Sequence, residues 1–225
     1  KIFLLKHSIF YWPYHVNSFF PLLSDILYSY GVLLSHPVAI KSVNFIFGAL
    51  TGLCLFVIAK DSLKGIPPAW PVLLFFTIPI ANHQLALANN DLSLTAFLMG
   101  SFAAIFRWCE TGKARWIVLA GVFSGFAMGV KYLAFFTIAV QVLLVGGETI
   151  YEKKNRQNSF YVIFLFLSVI FLVSAIWYVR SYLHTGNPIY PYLTKFFGGE
   201  GLENPLHLEG KGFGKGIASL ILLPW

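Results

Sequence analysis

The chain has 225 residues, of which 57% are apolar, 18% aromatic and only 11% charged. Soluble domains usually carry about 25% charged residues, so this composition excludes an ordinary soluble fold and predicts an all-α, polytopic bundle of transmembrane helices. The net charge of +7 is explained by basic cytoplasmic loops, and no surface of interleaved basic and aromatic residues suggests a nucleic-acid partner.

Residues 1–36 are predicted to form an external or interfacial segment. They are rich in aromatic side chains, which favour the boundary between membrane and water. The apolar run 19–34 is short for a full crossing and contains Asp25, so an interfacial or re-entrant helix is expected there. Asp25 is expected on the polar face of that helix or in a pair with another group. Nothing at the start of the chain resembles a signal peptide.

Residues 37–182 are predicted to hold the transmembrane helices, and the chain is expected to make about six crossings, counting the incomplete one at its end. Gly48 and Gly52 are four residues apart in the first run, a spacing that suits close helix packing. An external loop is expected over 183–216 and the start of a further helix over 217–225. The apolar runs are 43–59, 69–81, 92–106, 116–130, 132–147 and 159–179.

The two apolar runs on either side of Lys131 form either one long helix or a hairpin. The flanking loops, 107–115 and 152–156, are both basic, and such loops favour the cytoplasm. An even number of crossings must then separate them. The sequence therefore predicts a hairpin with Lys131 at its outer tip. Cys54 and Cys109 lie near cytoplasmic helix ends and suggest neither a metal site nor a disulfide.

Asp91 is the only formally charged residue between Ile66 and Phe106, and it lies in a polar turn over 82–92. A carboxylate beside an apolar run is costly if it faces lipid, so it usually faces protein or water and often marks a functional site. Asp is also a favoured N-cap residue, and a helix beginning at Leu92 would place Asp91 there. Both roles remain open.

Asp91, Lys131 and Arg180 are expected at one membrane face. Lys and Arg both bind phosphate, and a carboxylate can orient a hydroxyl acceptor or hold a metal. The simpler alternative for Lys131 and Arg180 is that they only reach interfacial water or lipid phosphate. His15, His83 and His184 could be grouped with Asp91 as candidate metal ligands, but their spacing matches no known metal-binding motif. The remaining histidines, His36 and His207, are expected in solvated loops.

Residues 177–191, Trp-Tyr-Val-Arg-Ser-Tyr-Leu-His-Thr-Gly-Asn-Pro-Ile-Tyr-Pro, resemble a tract of bacterial GT-C-fold glycosyltransferases. This is the multi-span family related to protein mannosyltransferases and aminoarabinose transferases. Three further tracts are similar to family segments and occur in the expected order: an external juxtamembrane helix (17–28), an acidic turn (90–97) and a Gly-x-Ala-x-Gly-x-Lys turn (125–132).

The resemblance implies transfer of a sugar from a polyprenyl-phosphate carrier to a glycan, lipid or protein acceptor on the non-cytoplasmic face of a bacterial inner membrane. Lys131 and Arg180 would hold the carrier phosphate, and Asp91 would assist at the acceptor or at a metal. Other substrate-binding candidates are Tyr132, Asn187 and Tyr190. Some members of the family use a divalent metal and others do not, so no cofactor is assigned.

In this family the principal catalytic aspartate lies in the first external loop, upstream of the segment similar to 17–28. Residues 1–16 contain no Asp or Glu. We therefore expect the chain to be an internal piece of a longer protein that is inactive alone. Two alternatives are a transporter or flippase of lipid-linked or amphiphilic substrates, which should show internal repeats, and a non-catalytic membrane assembly subunit.

Overall fold

The computed structural model describes residues 18–33, 37–87, 89–151 and 156–198, and all regular secondary structure within them is helical. The predictions for His15, His36, His207, the loop 152–155 and the helix start at 217–225 lie outside the described residues. The helices are α1 (Leu23–Leu33), α2 (Pro37–Ser62), α3 (Ala69–Thr77), α4 (Pro79–Ala86), α5 (Asp91–Thr111), α6 (Ala114–Met128), α7 (Ala134–Tyr151), α8 (Arg156–Thr185) and α9 (Thr194–Phe197).

Three helices are long and apolar enough to cross a membrane: Lys41–Ser62 within α2, Asp91–Thr111, and Phe160–Thr185 within α8. Helices α6 and α7 are apolar but shorter. Large apolar side chains cover the outside of the bundle, as on α8, where Leu172 is 72% exposed. A soluble monomer rarely exposes so continuous an apolar surface to water. In a membrane the same surface would contact lipid chains instead of water. The predicted all-α membrane bundle is confirmed.

The segment between α2 and α5 returns across the bundle in two pieces. The first piece, α3, packs against α2 near Gly52, where an added Cβ would lie 2.9 Å from the Phe76 ring. The end of the second piece, α4, is hydrogen-bonded to Asn44 of α2. The predicted single helix over 69–81 is wrong, because the helix breaks at Ile78 and restarts at Pro79. Proline lacks an N–H and disfavours a helical residue before it, which accounts for the break.

The prediction of a hairpin around Lys131 is confirmed. The Ser124 hydroxyl on α6 donates to Gln141 Oε1 on α7 at 2.7 Å. Residues 17 positions apart on a continuous helix would be separated by about 25 Å. The turn over 129–133 therefore reverses the chain and leaves Lys131 at its tip.

Helix α8 extends beyond its predicted end at Arg180, so Arg180 lies within the helix and not at its terminus. The helix continues to Thr185, where Gly186 adopts a positive φ of 71° and donates its N–H to the Tyr182 carbonyl. This left-handed glycine termination is a common way to end a helix. The loop predicted to begin at 183 therefore starts with a further helical turn.

A stripe of glycines fixes the close approach of α6 and α8. A Cβ added to these glycines would lie within 2.9 Å of an α8 side chain and within 3.2 Å of a backbone carbonyl oxygen. The helices can approach this closely only because no Cβ is present. The three pairs are Gly121 with Val169, Gly125 with Val173, and Gly129 with Trp177.

Candidate functional site

An open cleft of about 440 Å³ lies at the end of the bundle where α1 begins and the α6–α7 hairpin turns. The chain segments around it are the start of α1, the turn before α5, the hairpin turn and the loop after α8. The lining residues are Phe20, Pro21, Leu22, Asp25, Asn89, Asn90, Val130, Lys131, Tyr132, Leu133 and Tyr192.

Asp91 and Lys131 form an ion pair at this cleft, between Oδ1 of the carboxylate and Nζ of the ammonium. Their side chains are 39% and 34% exposed, so the pair is accessible from the cleft. The other carboxylate oxygen, Oδ2, accepts from Asn89 Nδ2 at 2.8 Å and from Gln84 Nε2 at 3.1 Å. The structure thus brings Asp91 and Lys131 together and leaves both carboxylate oxygens hydrogen-bonded.

The interpretation of Asp91 as an N-cap is wrong. Asn90 occupies the cap position, and Asp91 is the first helical residue of α5. Its carboxylate is directed to Lys131 and the two amides and does not cap the backbone. A carboxylate in the first turn still interacts favourably with the helix dipole.

The buried side chain of Asn44 holds the chain segment that leads to Asp91. Its amide nitrogen donates to the carbonyls of Gln84, at 2.5 Å, and Leu87, at 2.7 Å, which lie at the end of α4. Its Oδ1 lies 2.7 Å from the Tyr28 hydroxyl, which is also 2.6 Å from the Asn89 carbonyl. Helix ends leave carbonyls without intrahelical partners, and Asn44 satisfies two of them here.

We expect Asn44→Ala to destabilise the protein by about 2 kcal/mol, because the Gln84 and Leu87 carbonyls would lose the donor that the buried Asn44 amide supplies. The matched control is Asn82→Ala, since Asn82 donates to the Phe76 carbonyl at 2.6 Å from an exposed position. Thermal unfolding in detergent should show a lower melting temperature for Asn44→Ala and little change for Asn82→Ala. Equal melting temperatures would contradict this role of Asn44.

Hydrogen bonds fix the first turn of α1 against both walls of the cleft. The Leu23 N–H donates to the Gly129 carbonyl at 3.0 Å, which ties α1 to the hairpin turn. The Ser24 and Ser93 hydroxyls are 2.5 Å apart, which ties α1 to α5. Ser93 donates to the Asn90 carbonyl, so Ser24 is the donor in this pair. The Asp25 side chain, next along α1, is exposed and lines the cleft.

Asp25 is a site residue that the sequence analysis missed. It had been assigned to the polar face of an interfacial helix, whereas the structure places it in the cleft. Its signal in the sequence was the one that identified Asp91, a single carboxylate within an apolar segment. Partial burial raises the pKa of the Asp25 carboxyl above its ordinary value, and a hydrogen bond from its own backbone opposes this shift.

The charges of both carboxylates act on Tyr28. Burial raises the pKa of its hydroxyl to about 12, and the charges of Asp25 and Asp91 add to the shift. The hydroxyl therefore stays protonated at neutral pH and acts as a donor. Asp25 and Asp91 therefore both influence the same hydroxyl group.

The Arg180 guanidinium donates from Nη2 to the Ser18 carbonyl at 3.0 Å, which connects α8 to the segment that precedes α1. Its charge acts on the hydroxyl of Tyr132, which lines the cleft and donates to the Tyr190 carbonyl at 3.1 Å. Burial is the main cause of the raised pKa of the Tyr132 hydroxyl. Arg180 therefore acts on the cleft through Tyr132 and is not one of the residues that line it.

Asn187 and Tyr190 are buried residues of the loop that follows α8. The Asn187 amide donates to the Tyr192 carbonyl at 2.8 Å, and its Oδ1 accepts from the Ile189 N–H at 3.0 Å. The Tyr190 ring packs 4.5 Å from that of Phe19. These contacts organise the loop that carries Tyr192, and a direct contact of Asn187 or Tyr190 with substrate stays a prediction.

In the described part of the chain, no three His, Cys, Asp or Glu side chains lie close enough together to hold a metal. His83, on α4, and His184, in the last turn of α8, are both exposed. The residues described here therefore offer no donor set to which a metal can be assigned.

An apolar groove of about 340 Å³ adjoins the polar cleft and shares Tyr132, Leu133 and Tyr192 with it. The rings of Tyr132 and Tyr192 meet edge to face, 5.5 Å apart, and form the boundary between the two. Phe135, Phe136 and Ile189 complete the groove. The combined site is amphipathic, with charged groups on one side of the tyrosines and apolar groups on the other.

A family model described as "Dolichyl-phosphate-mannose-protein mannosyltransferase" matches residues 23–178, more than half of the chain. The matched segment contains Asp25, Asp91 and Lys131, whereas Arg180 lies beyond its end. No curated protein and no solved structure matches the chain. The charged part of the cleft therefore lies within the matched segment.

Proposed function

Since this chain belongs to the dolichyl-phosphate-mannose-protein mannosyltransferase family, we propose that it transfers a sugar from a polyprenyl-phosphate carrier to an acceptor on the non-cytoplasmic face of the membrane. The family consists of membrane glycosyltransferases that use lipid-linked sugar donors, and the chain is an integral membrane protein of this kind. The acceptor is a glycan, a lipid or a protein. We further propose the bacterial inner membrane as its location.

The observation that carries the proposal is the accessible Asp91–Lys131 pair in the cleft. A lysine ammonium has three N–H donors, and Asp91 uses one of them. The other two have no partner among the described residues, so they are available to the phosphate oxygens of a carrier. Asp91 holds the ammonium in position and is the auxiliary acid of the site.

The proposed reaction is an inverting displacement at the anomeric carbon of the sugar. The acceptor oxygen forms the new bond while the bond between the anomeric carbon and the phosphate oxygen breaks. The leaving polyprenyl phosphate gains negative charge, which Lys131 stabilises more strongly as the bond breaks. Arg180, behind Tyr132, adds positive charge on the same side of the cleft. The lipid and the cleft walls limit the access of water to the donor.

We propose that the apolar groove holds the isoprenoid tail of the carrier. The groove includes Leu133, just before α7, and Phe136, and an exposed apolar stripe continues from them along α7. Ten residues of helix extend about 15 Å, so the stripe leads from the cleft into the depth of the bilayer. The tail would lie along this stripe while the phosphate reaches Lys131. The stripe consists of Leu133, Phe136, Val140 and Leu143.

Phe136→Asn should weaken binding of a long-chain polyprenyl phosphate about tenfold, because a buried Phe contributes about 1.5–3 kcal/mol of transfer energy. Binding of inorganic phosphate, which has no tail, should not change. Phe164→Asn on α8 is the matched control, since its side chain is 60% exposed and that of Phe136 is 75% exposed. Equal losses in the two variants would contradict the groove.

The direct test of the function uses the full-length protein in nanodiscs with membrane acceptors. We expect tritiated mannose to pass from polyprenyl-phosphate-mannose into acceptor, and none to pass from a nucleoside diphosphate mannose. A flippase would instead move the labelled lipid across a vesicle bilayer without forming a new glycosidic bond. That outcome would refute the transferase function.

A further inference from the structure

We propose that the end of the bundle opposite to the cleft binds the headgroups of anionic membrane lipids. Two membrane-spanning helices end there, α2 at Ser62 and α5 at Thr111. Because α5 begins beside the cleft and has 21 residues, its two ends are about 30 Å apart, the thickness of the hydrocarbon core of a bilayer. Cations at this end therefore lie at the level of the lipid headgroups. The exposed cations that form the site, here called the basic rim, are Lys60, Lys64, Lys113 and Arg115.

An ion-pair network joins the ends of α2 and α5. The Arg107 guanidinium on α5 contacts Asp61 through Nε at 3.0 Å and Glu110 through Nη1 at 3.2 Å. Asp61 is the neighbour of Lys60 in the last turn of α2, and the loop that carries Lys64 follows directly. The loops that follow the two helices therefore begin close together, and their cations share one surface.

The acids at this end do not neutralise the basic rim, because Asp61 and Glu110 are both paired with Arg107. None of the four rim cations has an ion pair with a described residue. Arg107 and the rim together carry five positive charges against these two carboxylates, an excess of three. Each Lys or Arg near a membrane surface raises the affinity for anionic lipid about fivefold. The excess charge therefore favours an anionic headgroup.

Tryptophan side chains also place this surface at the membrane boundary. Trp70, in the first turn of α3 after the loop of Lys64, is 55% exposed. The Arg115 guanidinium lies over the Trp116 ring, with Cζ 5.4 Å from the ring centroid, and the buried indole N–H of Trp116 has no acceptor among the described residues. Tryptophan is enriched where one part of the ring contacts acyl chains and the N–H meets a polar group. A headgroup held by Arg115 would bring acceptor oxygens beside this ring.

Apolar side chains between the cations favour a lipid over a soluble anion or a nucleic acid. Leu63 and Ile66, on either side of Lys64 in the same loop, are both exposed. A soluble anion would leave these side chains in water, whereas a phospholipid offers a phosphate to the cations and an acyl chain to the apolar groups. The basic rim should therefore select phosphatidylglycerol, which has a net negative charge, over the zwitterionic phosphatidylcholine.

The test measures binding of the two phospholipids to the full-length protein in neutral detergent. Each lipid carries a fluorophore on its acyl chain, so that the headgroup is free, and binding is followed by fluorescence anisotropy. We expect phosphatidylglycerol to bind at least about tenfold more tightly than phosphatidylcholine at low ionic strength. In about 1 M salt the preference should largely disappear, because salt screens exposed charges.

Two double variants remove charge from the two loops of the rim. Lys113→Gln with Arg115→Gln should weaken phosphatidylglycerol binding about 25-fold, about fivefold for each charge, and should leave phosphatidylcholine binding unchanged. Lys60→Gln with Lys64→Gln should cause a comparable loss, since both loops contribute to one surface. The four side chains are exposed and have no ion pair among the described residues, so the melting temperature in detergent should stay near that of wild type.

The matched control removes two exposed lysines outside the rim. Lys41 begins the spanning part of α2, at the end opposite to Lys60, and Lys195 lies on α9. Lys41→Gln with Lys195→Gln loses the same charge and should bind phosphatidylglycerol within about twofold of wild type. Equal losses in the rim and control variants would overturn the inference, because net charge alone would then explain the binding.

Two further outcomes would also overturn it. Equal affinities of wild type for the two phospholipids would show that the rim does not recognise a negative headgroup. Competition by glycerol phosphate at the concentration at which phosphatidylglycerol itself competes would show that the site takes a soluble anion and not a lipid. The measurement requires no sugar transfer, so this inference and the proposed transferase function succeed or fail independently.

Discussion

Lys131→Met is expected to slow sugar transfer about 100-fold, which corresponds to about 3 kcal/mol. The substitution keeps most of the length of the side chain and removes the charge that faces the leaving phosphate. It also leaves Asp91 ionised and without its cation beside the phosphate, so repulsion adds to the loss. Transfer from polyprenyl-phosphate-mannose and binding of polyprenyl phosphate should both be measured, since the ammonium interacts with the phosphate in the ground state as well as in the transition state.

A double-variant cycle tests the coupling between Lys131 and Asp91. If Asp91 repels the phosphate once Lys131 is gone, Lys131→Met combined with Asp91→Asn should transfer faster than the product of the two single effects predicts. Lys113→Met is the control for loss of charge, because Lys113 is exposed at the opposite end of the bundle. Strictly multiplicative effects, or an equal loss in Lys113→Met, would contradict the proposed role of the pair.

The sequence predicted the charged end of the bundle because the signals there are local. In an almost uncharged chain, a single Asp or Lys between apolar runs stands out, and basic loops predict on which side of the bundle it lies. That reasoning placed Asp91 and Lys131 at one end, where the structure shows them paired. It also predicted the hairpin, which the contact between Ser124 and Gln141 confirms.

Long-range packing was not accessible to the same reasoning. Asp25 showed the same signal as Asp91, but its position in the cleft depends on bonds from α1 to Ser93 and Gly129, which are distant in sequence. Asn187 looked like a binding residue because it is polar and lies in a matched tract, yet its amide is bonded within its own loop. Periodicity and charge cannot reveal which polar groups the fold itself uses.

The close contact of α6 with α8 was also missed, because glycine spacing alone does not identify a partner helix. Gly48 and Gly52 were singled out, and a Cβ at Gly48 would indeed clash with the Leu85 side chain. That neighbour is the end of a flexible side chain, which can move. At Gly125 the neighbours are the branched Cβ of Val173, at 2.6 Å, and the Ile170 carbonyl oxygen, at 3.1 Å, and neither can yield easily.

Gly125→Ala is therefore expected to destabilise the protein by about 3 kcal/mol, the upper part of the usual range for overpacking. The added methyl group would separate α6 from α8, and α6 leads directly into the hairpin turn that carries Lys131. Transfer should fall together with stability. Thermal unfolding in detergent and transfer from polyprenyl-phosphate-mannose are the two measurements.

Gly147→Ala provides the matched control, since the same methyl group is added to a helical glycine. A Cβ at Gly147 would meet nothing within 4 Å. Alanine is favoured over glycine in a helix by about 1 kcal/mol, so Gly147→Ala should leave stability unchanged or raise it. Gly125→Ala is thus expected to lower the melting temperature, whereas Gly147→Ala should leave it unchanged or raise it. If Gly125→Ala also raised it, α6 and α8 would not be in the close contact described here, and the support for the hairpin turn would have to come from elsewhere in the bundle.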